Sequence, residues 1–206
     1  MLTLLVTASP GAPNFPLRLD VDATDAPRRI LHARLSLPAS PGELTLLYPQ
    51  WIPGEHGPTG PIADLVALKI GAAGQPVAWK RDAEDMFAFH VTVPAGATVL
   101  EIAYDFLLAP NAPGFSSGGS SSATLLVLNW NQVVLYPKGS KATDLEYAAT
   151  LRLPKEWKFG TALPSVQASA GTVEFAPVSL ETLVDSPVIA GAHFRTLDLS
   201  PGAKPS

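Results

Sequence analysis

An acid and an imidazole stand side by side at Glu55-His56, inside the stretch YPQWIPGEHGPTGP that runs from Tyr48 to Pro61. A carboxylate beside an imidazole has the chemistry of a general base or of part of a metal site. The plainer reading is a partly exposed pair that stabilises a turn, and no neighbouring residue completes a site. The other histidines are His32, His90 and His193. None stands in a His-Glu-x-x-His spacing, which would set two imidazoles and a base around zinc on one helix face. His32 and His90 fall at strand positions and read as solvent-facing. Ser116, Ser117 and Ser120 to Ser122 lie in a pliant stretch, a poor setting for a preorganised nucleophile. Asp82, Glu84 and Asp85 (RDAEDM) form an acidic cluster without the spacing of a calcium loop, and read as a solvated turn. Trp51, Trp79, Trp130 and Trp157 have the chemistry of a sugar-stacking platform, although packing is the default for large aromatics. No complete active site emerges.

The element that must position Glu55 and His56 is unusual in composition. Tyr48–Pro61 holds four of the 21 prolines and three of the 16 glycines. Proline lacks the donor that a helix interior or a central strand requires. The stretch therefore reads as a loop with many backbone angles fixed in advance, while Gly54, Gly57 and Gly60 are free to take angles other residues avoid. Tyr48, Trp51 and Ile52 are expected to be buried, which makes it a shaped loop rather than a disordered one.

Composition sets the frame. The chain has 206 residues, 47% hydrophobic and 16% charged, so it can bury a sizeable core. A net charge of −4, with no Lys/Arg cluster larger than a pair, argues against nucleic acid as a partner. No apolar run approaches the roughly 18 residues of a membrane span. The absence of cysteine excludes disulfides, thiolate metal sites and a cysteine nucleophile. With 21 prolines and 16 glycines, turns must be frequent, which favours an all-β chain.

Along the chain, Met1–Ala8 reads either as the tail of a secretory signal or as a first strand or disordered end. Alternating strands are expected at Leu17–Ala23, Arg28–Leu37, Glu43–Tyr48, Asp64–Gly71 and Pro76–Arg81. The run carrying Phe87, Phe89, Val91 and Val93 is followed by Pro94–Ala97 (PAGA) and Thr98–Leu107, which predicts a hairpin. Asn111–Ala123 is Gly/Ser-rich and reads as a mobile loop. Thr124–Tyr136 predicts a strand, a tight bend at Asn129–Asn131 and another strand. Leu145–Leu153, Trp157–Thr161 and Thr172–Phe175 follow as strands. Ser179–Val184 is a helical turn with Ser179 as its cap and Pro187 as its stop. Phe194, Thr196 and Asp198 mark a last strand. The expected fold is all-β: a β-sandwich-like domain of about ten or more mostly antiparallel strands with at most one or two short helical turns. Its expected limits are residues 17–199, between a flexible start or signal remnant (1–16) and a linker (200–206).

The run LTLLYPQWIPGEHGPTGPIADLVALKIGAAGQPVAWKRDAEDMFAFHVTVPAGA is followed in order by NWNQVVLYPKG (Asn129–Gly139), LPKEWKFGTAL (Leu153–Leu163) and SLETLVDSPVIAG (Ser179–Gly191). Together these resemble the N-terminal domain of the glycyl aminopeptidase family of zinc metallopeptidases (clan MA, peptidase family sixty-one). The resemblance covers roughly Leu17 to Leu199. It implies a parent enzyme with a thermolysin-like catalytic domain, zinc bound there, and a peptide N-terminus as its substrate. It implies no cofactor and no catalytic residue in this chain, which is expected to be inactive alone.

What the resemblance carries over is position. Trp51, Pro53, Gly54, Glu55, His56 and Thr59 become candidates for a loop at the substrate cleft or between domains. Leu183, Asp185, Ser186 and Pro187 become candidates for an interdomain segment. The expected partner is the chain's own C-terminal catalytic domain, with self-association if an apolar docking face is left bare. The resemblance, with the apolar first residues, favours a periplasmic or secreted location and leaves the compartment open. The alternative is a stand-alone β-sandwich module that binds protein or glycan through the loop aromatics.

Overall fold

A computed structural model describes residues 15–52, 55–108, 118–169 and 171–197. The expectations for Met1–Ala8, Pro53, Gly54, most of Asn111–Ala123 and the chain beyond 197 lie outside these residues. Among those described there are seventeen strands, one short helix and three 3-10 turns. The first half holds β1 (Leu17–Asp22), β2 (Ile30–Pro38), β3 (Gly42–Leu47), β4 (Leu65–Ala72) and β5 (Gln75–Pro76). It continues with β6 (Trp79–Arg81), β7 (Ala88–Val93) and β8 (Val99–Leu107). Then come β9 (Ser120–Ser121), β10 (Leu125–Leu128), β11 (Tyr136–Pro137), β12 (Glu146–Arg152) and β13 (Lys158–Gly160). Last are β14 (Ser165–Ser169), β15 (Thr172–Phe175), β16 (Val178–Ser179), α1 (Leu180–Val184) and β17 (Val188–Gly191).

The strands form three sheets. The large one runs β14-β15-β12-β1-β2-β8-β4-β5, with β16 also paired to β12. Two four-stranded sheets are ordered β13-β17-β10-β9 and β11-β3-β7-β6. Pairing is antiparallel except between β1 and β12, which run parallel with Leu17 opposite Tyr147. Period-two alternation explains the core. Leu17, Leu19 and Val21 of β1, Leu31 to Leu37 of β2 and Leu100 to Phe106 of β8 turn one face inward. They join residues of both smaller sheets in one hydrophobic cluster.

Several expectations fail. β7 and β8 are not a hairpin: β7 pairs with β3, while β8 pairs with β2 and β4. The chain instead turns a corner twice at one level, after Pro38 and after Val93. The two corners touch through Ala39 N–H donating to Thr98 O at 2.9 Å. Pro38, Pro41 and Pro94 end both ladders there, so the strands continue in the other sheet. Pro76–Arg81 is likewise two strands in different sheets, because β5 closes on β4 whereas β6 joins β7. The alternation at residues 193–197 forms no strand; among the described residues the last strand is β17, whose Val188 and Ala190 are fully buried. The helical turn at Ser179 is present, its Oγ accepting the Thr182 N–H at 3.1 Å.

Candidate functional site

The proline-glycine loop is clamped at its base. Tyr48 is 1% exposed and its N–H donates to Phe87 O at 2.9 Å. Twelve residues further on, Gly60 N–H donates to Gln50 O at 3.0 Å. A Cβ on Gly60 would stand 1.9 Å from Pro49 O, so only glycine allows the two arms to meet. Between the arms, Ile52 is buried and Glu55 N–H donates to Ile52 O at 3.0 Å. Thr59 N–H donates to Gly57 O at 2.9 Å. Trp51, expected to be buried, is instead 64% exposed. His56 and Thr59 are exposed and Glu55 is half-buried. The loop thus presents an indole, an imidazole, a hydroxyl and a carboxylate from a backbone fixed at its base.

Behind it lies a segment that sequence reading gave as a tight bend followed by another strand; the bend is a 3-10 turn at Trp130–Gln132, but residues 133–135 form no strand and β11 begins only at Tyr136. Trp130 to Leu135 are all buried, most of them outside any ladder, so their carbonyls need other donors. Three tyrosines supply them. Tyr48 Oη–H donates to Gln132 O at 3.2 Å, Tyr104 to Val133 O at 2.6 Å and Tyr147 to Leu135 O at 2.9 Å. Burial pushes all three phenols well above their ordinary range, which keeps them protonated donors. The capping box of Asn129 and Gln132 closes the 3-10 turn. Tyr48 therefore ties the loop to this segment. Among the described residues, Asn131 Nδ2 and Ser121 Oγ are the buried side-chain polar atoms with no partner.

The Leu183–Pro187 stretch is anchored from the same place. Ser186 O accepts both Trp130 Nε1–H at 3.0 Å and Thr161 Oγ1–H at 3.3 Å. Leu183 sits in the core and Ser186 is buried, while Asp185 and Pro187 are exposed.

Two histidine clusters occupy solvent-side strand faces. His32 Nδ1 is 2.7 Å from Asp105 Oδ1 and its Nε2 is 3.3 Å from Asp25 Oδ2. The hydrogen bond to Asp105 raises its pKa against the effect of burial. Asp22 feels burial in the opposite direction, yet its hydrogen bonds from Thr24 and the nearby Arg152 and His32 hold it below the usual carboxylate range. These groups border a concavity of about 450 Å³ whose lining alternates in charge, including Asp20, Asp22, His32, Arg34 and Arg152. On another sheet, His90 Nε2 is 2.7 Å from Asp82 Oδ2 and its Nδ1 is 3.1 Å from Thr45 Oγ1. Thr45 and His90 are directly opposite in the β3–β7 register, so this is a cross-strand pair rather than a built relay. Asp82 also accepts the N–H groups of Asp85 and Glu84, which makes the acidic cluster a turn device.

GFSSG at Gly114–Gly118 spells Gly-x-Ser-x-Gly, where sequence reading found no such elbow. The flanking elements are β8 and β9, strand to strand, whereas a nucleophile elbow joins a strand to a helix. Among the described residues no three His, Asp or Glu side chains could hold one metal ion. The four tryptophans make no shared platform, since Trp130 is fully buried beside Phe175 and Trp51 is exposed. No zinc step can be routed through these residues.

Comparison with known proteins fits this inventory. Residues 18–192 match the family described as Peptidase M61 N-terminal domain. The fold is similar to an aminopeptidase N family protein from Idiomarina loihiensis, at TM-score 0.69 and 19% identity. That match covers 85% of this chain and 29% of the other. A two-domain M1 zinc metallopeptidase variant bound to L-tryptophan matches at TM-score 0.50 and 16% identity, over 85% of this chain and 41% of its own. Yeast LTA4 hydrolase in complex with bestatin matches at TM-score 0.50 and 11% identity, over 85% and 28%. At these identities the likeness is one of fold, and the chain spans less than half of each. No curated protein matches the sequence significantly. The chain belongs to the Peptidase M61 N-terminal domain family.

Proposed function

We propose that this chain is the non-catalytic N-terminal β domain of a zinc-dependent, glycyl aminopeptidase-like metallopeptidase. In this reading it packs on the catalytic domain and borders the substrate cleft with its proline-glycine loop. The observation that carries it is the family match across residues 18–192. The clamped loop agrees with it. Zinc belongs to the catalytic domain, where it would supply Lewis-acid chemistry. This chain's part is shape and charge: Glu55, in the loop fixed by Gly60, meets the ammonium of a peptide N-terminus, since a carboxylate suits that charge.

The test is hydrolysis of glycyl- and alanyl-arylamides by the 206-residue chain and by the parent, with and without added zinc. Silence from the former and turnover by the latter are expected. Zinc-dependent turnover by the 206-residue chain would overturn the reading. In the active parent, Glu55→Gln is expected to raise KM several-fold; unchanged KM and kcat would remove Glu55 from the cleft. The 64% exposure of Trp51 favours, as a second reading, a binding module. That reading requires quenching or a shift of its fluorescence by a glycan or protein ligand.

A further inference from the structure

The faces of these sheets differ in kind. The outward face of the large sheet carries Arg18, Asp20, His32, Arg34 and Glu101, as a face exposed to water should. The small sheet β13-β17-β10-β9 does not follow that rule. Leu126, Leu128, Val188 and Ala190 point inward and are fully buried. The alternate positions, facing away from the core, are again apolar: Leu125 is 41% exposed, Ile189 is 48% exposed and Val127 is partly exposed. The register sets Val127 opposite Ile189, and Ile189 opposite Gly160. Gly160 lets the Phe194 ring settle beside Ile189, since a Cβ there would be 3.0 Å from the ring. Among the described residues of these strands Lys158 is the one charge on this face.

We propose that this apolar face, built on Leu125, Val127, Ile189 and Phe194, is the surface on which the parent's catalytic domain docks. The inference rests on the functional reading above and names the surface that the reading leaves open. The choice of occupant comes from the chain's path. Phe194 lies three residues past β17 and returns over the face. The solved chains matched in fold are longer, this chain covering 29% and 41% of two of them. Four side chains are far fewer than the roughly 20–30 residues a side of a stable interface between free molecules. A tethered domain needs less, because its effective concentration is on the order of millimolar. Tethering thus favours the chain's own continuation over a second copy.

The absence of cysteine from this chain makes the face directly testable. Leu125→Cys and Ile189→Cys report on it, and Val166→Cys, on the exposed strand β14, is the control. Maleimide labelling is followed by mass spectrometry of each site's own peptide, in the 206-residue chain and in the parent. All three sites should label readily in the short chain. In the parent, positions 125 and 189 should label at least about tenfold more slowly while 166 is unchanged. Equal labelling of 125 and 189 in both, in a parent that hydrolyses glycyl-arylamide, overturns the docking face and leaves the peptidase reading intact. Protection without hydrolysis upholds the face and removes the peptidase reading. Protection already present in the short chain, and lost on dilution, assigns the face to a second copy and overturns the proposal.

Discussion

His32 is held at both ring nitrogens by carboxylates, and an imidazole can donate at both only when it carries two protons. The contacts with Asp105 and Asp25 therefore belong to the cationic form, in line with its raised pKa. The unfolded-state value is about 6.5. A raised folded-state value means that the stabilisation is fully present below that point and is lost as pH rises through the folded pKa. The side chain is 42% exposed, which keeps the effect modest. The stability gap between wild type and His32→Gln, measured by urea unfolding, should be widest near pH 5 and close by about pH 9. A gap constant across that range would show that shape, not charge, is what His32 supplies. The sequence placed His32 correctly on a solvent-side strand face. It hid the two carboxylates, which lie 7 and 73 residues away.

The buried segment Gln132–Leu135 is held by donors from three separate stretches of chain. Tyr104→Phe removes the hydroxyl that donates to Val133 O and leaves that carbonyl buried without it. A loss of about 1–3 kcal/mol is expected for such an orphaned group, read from the denaturation midpoint. A change under about 0.5 kcal/mol would mean that the carbonyl finds another donor. Local chemistry made several elements legible beforehand. Alternation announced β1, β2, β8 and β12, the Ser179 cap announced α1, and proline with glycine announced the loop. The tyrosine-held segment stayed hidden because its donors Tyr48, Tyr104 and Tyr147 stand 84, 29 and 12 residues from their acceptors. The supposed hairpin failed for a related reason. Two alternating runs joined by a glycine-bearing turn look the same whether they pair with each other or with β3 and β2. Trp51 failed differently, since apolarity alone argued for burial and a clamped surface loop can hold an indole in solvent.

At the scale of the molecule, β12 is the strand that joins the β14-β15 pair to β1 in the large sheet. It lies between β1 and β15, and its Tyr147, Ala149 and Leu151 are in the core. A chain ending at Thr143 keeps β1 to β11 but uncovers the edge of β1 and removes the donor to Leu135 O. That fragment is expected to show no cooperative thermal transition by near-UV circular dichroism, where the 206-residue chain shows one. A sharp transition in the fragment would make the first half an independent folding unit. The all-β class was legible from turn density and strand spacing. The split into three sheets was not, because strand partnership is decided by contacts across the whole chain.

The parallel pairing of β1 with β12 also has a meaning for biosynthesis. Asp22 and its partner Arg152 are separated by 130 residues. A ribosome adding roughly 5–20 residues per second leaves on the order of ten seconds between the emergence of one and of the other. Throughout that interval the nascent chain can assemble β1, β2 and β8 but not cover the far edge of β1, a row of unpaired amides and carbonyls beside exposed leucines. Until β12 arrives, that edge is open to pairing with other chains, a hazard that the finished domain no longer carries.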